Sequence, residues 1–280
     1  MALGISLHVG LNRVDPAHYQ GWDGELTACE FDANDMRAIA EGQGFEARSL
    51  LTKEATSDAV LAAIERAAGE LDRGDLFLCT YSGHGGQVPD RNGEDEEDRS
   101  DETWVAYDRQ IVDDELYALW GRFAPGVRIF VLSDSCHSGT VVRDIEAKVP
   151  DPVSTRQKAA AESPRYRALP RDVMIATYRA NARLYDAIQE RLPGAERADP
   201  AATVLLISGC RDDQLSLDGF SNGLFTENLR AVWADGAWEG GHAEFREAIR
   251  ARMPAKQQPN YLRVGAANPE FEQQKPFTVG

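Results

Sequence analysis

Val127-Arg128-Ile129-Phe130-Val131-Leu132 leads into Asp134-Ser135-Cys136-His137-Ser138-Gly139, an apolar run that breaks into small polar residues around one cysteine. Upstream, Leu76-Phe77-Leu78-Cys79-Thr80 does the same, ending in Tyr81-Ser82-Gly83-His84-Gly85-Gly86. Short apolar runs with glycine-rich ends read as buried strands. Each carries one reactive side chain just past its C-terminal end. A thiol and an imidazole on neighbouring strand ends suit a cysteine nucleophile, Cys136, and its acid/base partner, His84.

Working outward, Ile5–Leu11 and Ala47–Leu51 read as further strands and Val204–Ser208 as another. Thr27–Glu41 and Ser57–Leu71 read as helices, the second with Val60, Leu61, Ile64 and Leu71 on one face and Ser57 as its cap. Asp113–Phe123 and Ala180–Leu192 also have helical spacing. Strands alternating with helices imply an α/β fold, a mostly parallel central sheet with helices on both faces. Function in such sheets gathers at the C-terminal ends of the strands. The Pro-rich, polar stretch from Lys148 to Arg171 interrupts this rhythm. The expected division is a larger part over 1–145, an irregular linker over 146–202 and a smaller part over 203–280, together one compact domain.

A net charge of −16 argues against nucleic-acid backbones and anionic membrane surfaces as partners. Four scattered cysteines are too few for a disulfide framework and form no CxxC pair. The first ten residues read as a strand rather than a signal peptide, and no stretch is apolar enough to span a membrane. A reducing cytoplasm is the expected location.

The Ser-Gly-His-Gly block, Asp-Ser-Cys-His-Ser-Gly and their spacing resemble the metacaspases and bacterial orthocaspases, within the caspase-like peptidases; a histidine about 50 residues before the cysteine is a known caspase feature. The likeness covers about 3–145 and again about 202–235. It implies a three-layer caspase-like fold, a Cys-His dyad needing no cofactor, and a monomer. It places the oxyanion donors on the backbone of Gly85 and Cys136. It also implies that Cys29, Asp32, Ser82 and Asp134 line the pocket for the residue before the scissile bond. Two carboxylates there would hold a guanidinium or ammonium group, so the expected substrate is a protein or peptide with Arg or Lys at that position. A silent binding or scaffold module is the alternative, and it would require a damaged dyad.

Asp90–Glu102 holds eight acids against two arginines, which as a plain charge run is a solvated loop. The resemblance matches Asp101, Asp113 and Asp114 to calcium ligands of many metacaspases, and hard oxygen ligands suit Ca²⁺ as an activator. Arg143 stands where that family has a further acid, with Asp144 one position late. Finally, Arg156, Lys158, Arg165, Arg167 and Arg171 lie in the irregular stretch, where exposed backbone would admit a protease. They are candidate processing sites, for the chain itself or for an upstream activating protease.

Overall fold

The computed structural model describes residues 2–91, 100–136, 165–192, 199–210, 214, 216–219 and 221–280. Its centre is a six-stranded sheet in the order β2-β1-β3-β7-β8-β9. These strands are β1 (Gly4–Gly10), β2 (Glu46–Leu51), β3 (Leu76–Ser82), β7 (Arg128–Asp134), β8 (Thr203–Ser208) and β9 (Asn260–Gly265). All neighbours run parallel except β9, which is antiparallel to β8.

The sequence builds the two cores by its period of two. In β3, Phe77, Cys79 and Tyr81 face one side and join Ile129 and Val131 of β7. Helices α2 (Ser57–Glu70) and α3 (Asp113–Trp120) close that side with Val60, Ile64, Leu116 and Trp120. Leu76 and Leu78 of β3 face the other side with Phe130 and Leu132. There α1 (Cys29–Gly42), α5 (Leu224–Trp233) and α6 (His242–Arg250) cover the sheet with Met36, Phe225 and Phe245. The expected α/β architecture, mostly parallel sheet and helices on both faces, is what the chain adopts.

Other expectations need correction. Thr56, not Ser57, caps α2, since its hydroxyl accepts from the Ala59 N–H. Ser57 instead bonds Asp108 through both its N–H and its hydroxyl. A second, antiparallel sheet was not anticipated: β4 (Gly85–Pro89), β5 (Ser100–Val105) and β6 (Gln110–Val112). The helix expected from Ala180 begins at Arg171, so Arg171 opens α4 (Arg171–Arg191) rather than lying in an irregular stretch. Pro170 immediately precedes it, where the ring removes no helical hydrogen bond. The helix lies against β4 and β6 and bends at Asn181. A short α7 (Pro269–Gln273) completes the described elements. Arg156 and Lys158 lie outside the described residues, as do Arg143 and Asp144.

Candidate active site

Strand register brings the site together. Ser82 and Asp134 are direct partners at the ends of β3 and β7. His84 and Cys136 each lie two residues further on, so both stand at the same height above the sheet. Both are buried. The approach is so close that a side chain on Gly85 would place its first carbon 2.0 Å from the Cys136 carbonyl oxygen. Only glycine fits there.

Residues 165–169 occupy this end of the sheet, bridging Leu217 at Tyr166 and Gly85 at Ala168. Arg167 donates its N–H to the Ser216 carbonyl at 3.0 Å, and the Asp218 N–H donates to the Arg165 carbonyl at 2.9 Å. Beyond Arg167 the segment turns alongside Gly85, whose carbonyl accepts from the Leu169 N–H at 2.8 Å. At the centre, the N–H groups of Gly85 and Cys136 both donate to the Arg167 carbonyl, each at 3.0 Å. Two backbone donors converging on one carbonyl oxygen have the geometry an oxyanion hole requires.

The Arg167 side chain is fully buried in an acidic pocket. Its guanidinium reaches Asp32 at 2.6 Å, Asp134 at 2.7 Å and Asp218 at 3.1 Å, and donates to the Ser82 hydroxyl at 2.8 Å. Burial works against the charge, but Asp134 and the other acids outweigh it and hold the guanidinium pKa well above its ordinary value. Burial likewise raises the Asp134 carboxyl, and Arg167 opposes that. The carboxylates are themselves fixed. Asp32 accepts from the Gly223 N–H and the Asn222 amide, Asp134 from the Ser216 and Thr226 hydroxyls, and Asp218 from the Thr27 N–H. A side chain on Gly223 would come within 2.5 Å of the guanidinium.

His84 donates from Nε2 to the Gly24 carbonyl at 3.0 Å, and Nδ1 is buried with no hydrogen-bond partner among the described residues. The Ala168 backbone lies beside the ring. Burial pushes the imidazole pKa down to about 4, against a smaller upward pull from the Gly24 carbonyl. The ring is therefore neutral at pH 7, with a free lone pair on Nδ1. Trp22 packs on it at 4.7 Å. The Cys136 thiol sits against Ser216, donating to its carbonyl at 3.6 Å and accepting from its N–H.

Of the expected pocket residues, Asp32, Ser82 and Asp134 meet the guanidinium directly. Cys29 is buried behind them beside Ser82, its thiol pKa pushed up by burial. Among the described processing candidates, Arg167 alone enters the pocket. Arg165 is exposed and pairs with Glu25 at 3.8 Å. The expectation of exposed backbone across this stretch fails at Arg167, because three carboxylates bury it. Sequence reasoning missed Ser216, Asp218 and Gln257. Buried Gln257 accepts from the Leu217 N–H and donates to the Ser216 hydroxyl, which holds the strand facing Arg167. An acid before a glycine reads as a turn, so no local signal marked Asp218.

Asp101 is buried in β5, and Asp113 and Asp114 begin α3. Asp113 accepts from the Glu102 and Asp114 N–H groups. Among the described residues no cluster of three or more potential ligands is arranged to hold a metal ion.

A mostly parallel sheet with a thiol and an imidazole past adjacent strand ends is the arrangement of a caspase-like cysteine peptidase. The chain belongs to the caspase-domain family, whose profile matches residues 14–277. It is similar to metacaspase-4 of Arabidopsis thaliana, 32% identical over 52% of this chain and 37% of that one. It is also similar to metacaspase-1 of Scheffersomyces stipitis, 28% identical over 79% of this chain and 59% of the other. The matches thus span between about a third and three fifths of those relatives' lengths. Protein GSU0716 from Geobacter sulfurreducens, a crystal structure, matches at 50% identity and a TM-score of 0.87, over 99% of both chains.

Proposed function

We propose that this chain is an endopeptidase cleaving after arginine, and after lysine less readily, with the Arg167–Ala168 bond as its first substrate. The observation that carries this reading is Arg167 itself. Its side chain fills the acidic pocket while its carbonyl rests on two backbone donors beside Cys136. In the reaction, His84 takes the thiol proton and Cys136 Sγ attacks the Arg167 carbonyl carbon. The oxygen gathers negative charge facing the Gly85 and Cys136 N–H groups. The bond to the Ala168 nitrogen breaks as that nitrogen receives the proton from His84. Water, deprotonated by His84, then hydrolyses the thioester and frees Cys136 and an Arg167 carboxylate.

The fragments on either side of the cut would correspond to the larger and smaller parts of a processed enzyme, with the vacated pocket open to other chains. The working unit in this reading is a monomer, as the resemblance implies; gel filtration of the active enzyme tests it. A reducing compartment such as the cytoplasm suits the thiol. The catalytic steps use protein groups alone; Asp101, Asp113 and Asp114 are the residues that would hold calcium as an activator. Its role as an activator would be tested by activity and melting temperature with and without chelator.

Mass spectrometry of freshly purified wild type beside Cys136→Ala tests the reading. Wild type should yield a new C-terminus at Arg167 and a new N-terminus at Ala168, with Cys136→Ala intact. A wild type that stays whole and inert on arginyl peptides would reject it. Cleavage of both forms at the same bond would instead assign the cut to an upstream protease.

A further inference from the structure

The segment in the active site continues past Arg167 into a second pocket. Leu169 is 2% exposed and packs against Val14, Tyr19 and Val105, with Trp22, Val173 and Met174 around it. Tyr19 is held by its hydroxyl, which donates to the Ala106 carbonyl at 2.8 Å. Trp22 is shared, since the same ring packs on His84. Four of these six walls lie outside α4, in the loop after β1 and in β5. They belong to segments of the chain separate from residues 165–171. The backbone here pairs with the main chain of Gly85, as when an extended peptide is added to a strand edge. Main-chain pairing accepts any sequence, so selection falls to the pockets on either side.

We propose that this pocket is a substrate subsite for an apolar side chain at the second residue after the scissile bond. It would select polypeptides in which an arginine is followed by a small and then an apolar residue. The proposal rests on the reading of Arg167–Ala168 as the bond cut. Its competitor is simpler: Leu169 is a core residue that only anchors the start of α4. In that case a separate peptide would gain nothing from an apolar residue at the same place.

The test uses two peptides containing Tyr-Arg-Ala-X, with X either Leu or Asp, and an arginyl amide with a chromophoric leaving group and no residue at X. The enzymes are wild type that has completed its own cut and Leu169→Ala, which clears the chain's own side chain from the pocket. The Leu peptide should be cleaved with kcat/KM about 10- to 100-fold above the Asp peptide by Leu169→Ala. Wild type should prefer Leu too, by a smaller factor because Leu169 competes, and this arm decides if the variant does not fold. Equal rates on the two peptides, with the amide hydrolysed, overturn the subsite and leave arginine specificity standing. No hydrolysis of any of the three removes the reading and the subsite with it.

Discussion

Replacing Asp134 by asparagine keeps the shape of the acidic pocket and removes one of the three carboxylates around the guanidinium. A charge-assisted hydrogen bond contributes about 1.5–3 kcal/mol, so Asp134→Asn and Asp32→Asn should each lower kcat/KM on arginyl peptides by about 10- to 100-fold. Steady-state kinetics on the processed enzyme checks this, and an unchanged constant would remove the residue from the pocket. Arg167→Ala has a different effect, because it leaves three buried acids facing one another. Breaking a buried ion pair costs about 3–5 kcal/mol. Denaturant unfolding in a Cys136→Ala background, where the chain stays whole, should show a loss on that scale. In the proposed mechanism, His84 sets the pH dependence of the first cut. Its pKa is depressed to about 4, so the base is available throughout neutral pH. The rate of self-cleavage should hold near pH 7 and fall as pH drops through about 4. A half-maximum near 6.5 would show that the ring is hydrated before reaction.

Among the elements, α4 ties the region after the cut to the catalytic end of the sheet. Tyr185 is its anchor, fully buried, accepting from the Gln110 N–H at 3.2 Å and meeting His18 Nε2 at 2.7 Å. Tyr185→Phe leaves that N–H unpaired and should cost about 1–3 kcal/mol in denaturant unfolding; a change within 0.5 kcal/mol would show that water replaces the hydroxyl. Legibility also varied by element. β3 and β7 declare themselves because a strand buried on both faces is a continuous apolar run. β4 does not: Gly85-Gly86-Gln87 has no strand propensity, and it pairs because β5 lies beside it. The edge strand β9 is half exposed and mixes Asn260 and Arg263 with apolar residues, so no period stands out. The placing of His84 and Cys136 past adjacent strand ends and three of the four guanidinium contacts were legible, since they lie on or beside strands and a helix start with recognisable motifs. Asp218 and the docking of Arg167 were not, because both depend on segments far apart in sequence meeting in space.

For the whole molecule, three histidines buried among the described residues set a common acid limit. His8, His84 and His242 have pKa values pushed down by burial to about 3, 4 and 4. In the unfolded chain each takes a proton near 6.5, so below that pH the unfolded state binds more protons than the folded one. Stability is therefore fully present above about 6.5 and declines toward 4, by up to about 1.4 kcal/mol per pH unit for each histidine. Melting temperature should fall steadily over that window, and a flat profile from pH 7 to 4 would contradict the burial of these rings. The cut should not separate the fragments, because β7 and β8 on its two sides are neighbours in one sheet. Gel filtration should show a single species that denaturing electrophoresis splits in two.

Arg167 and its pocket belong to one polypeptide, so their encounter is unimolecular. The half-time of the first cut should be the same at nanomolar and micromolar protein, and dilution should not delay it. A tethered occupant also acts as a competitor at an effective concentration in the millimolar range. On the proposed reading, foreign peptides at ordinary concentrations would be excluded until the tether is severed, and every molecule would start its service with a delay set by its own chemistry.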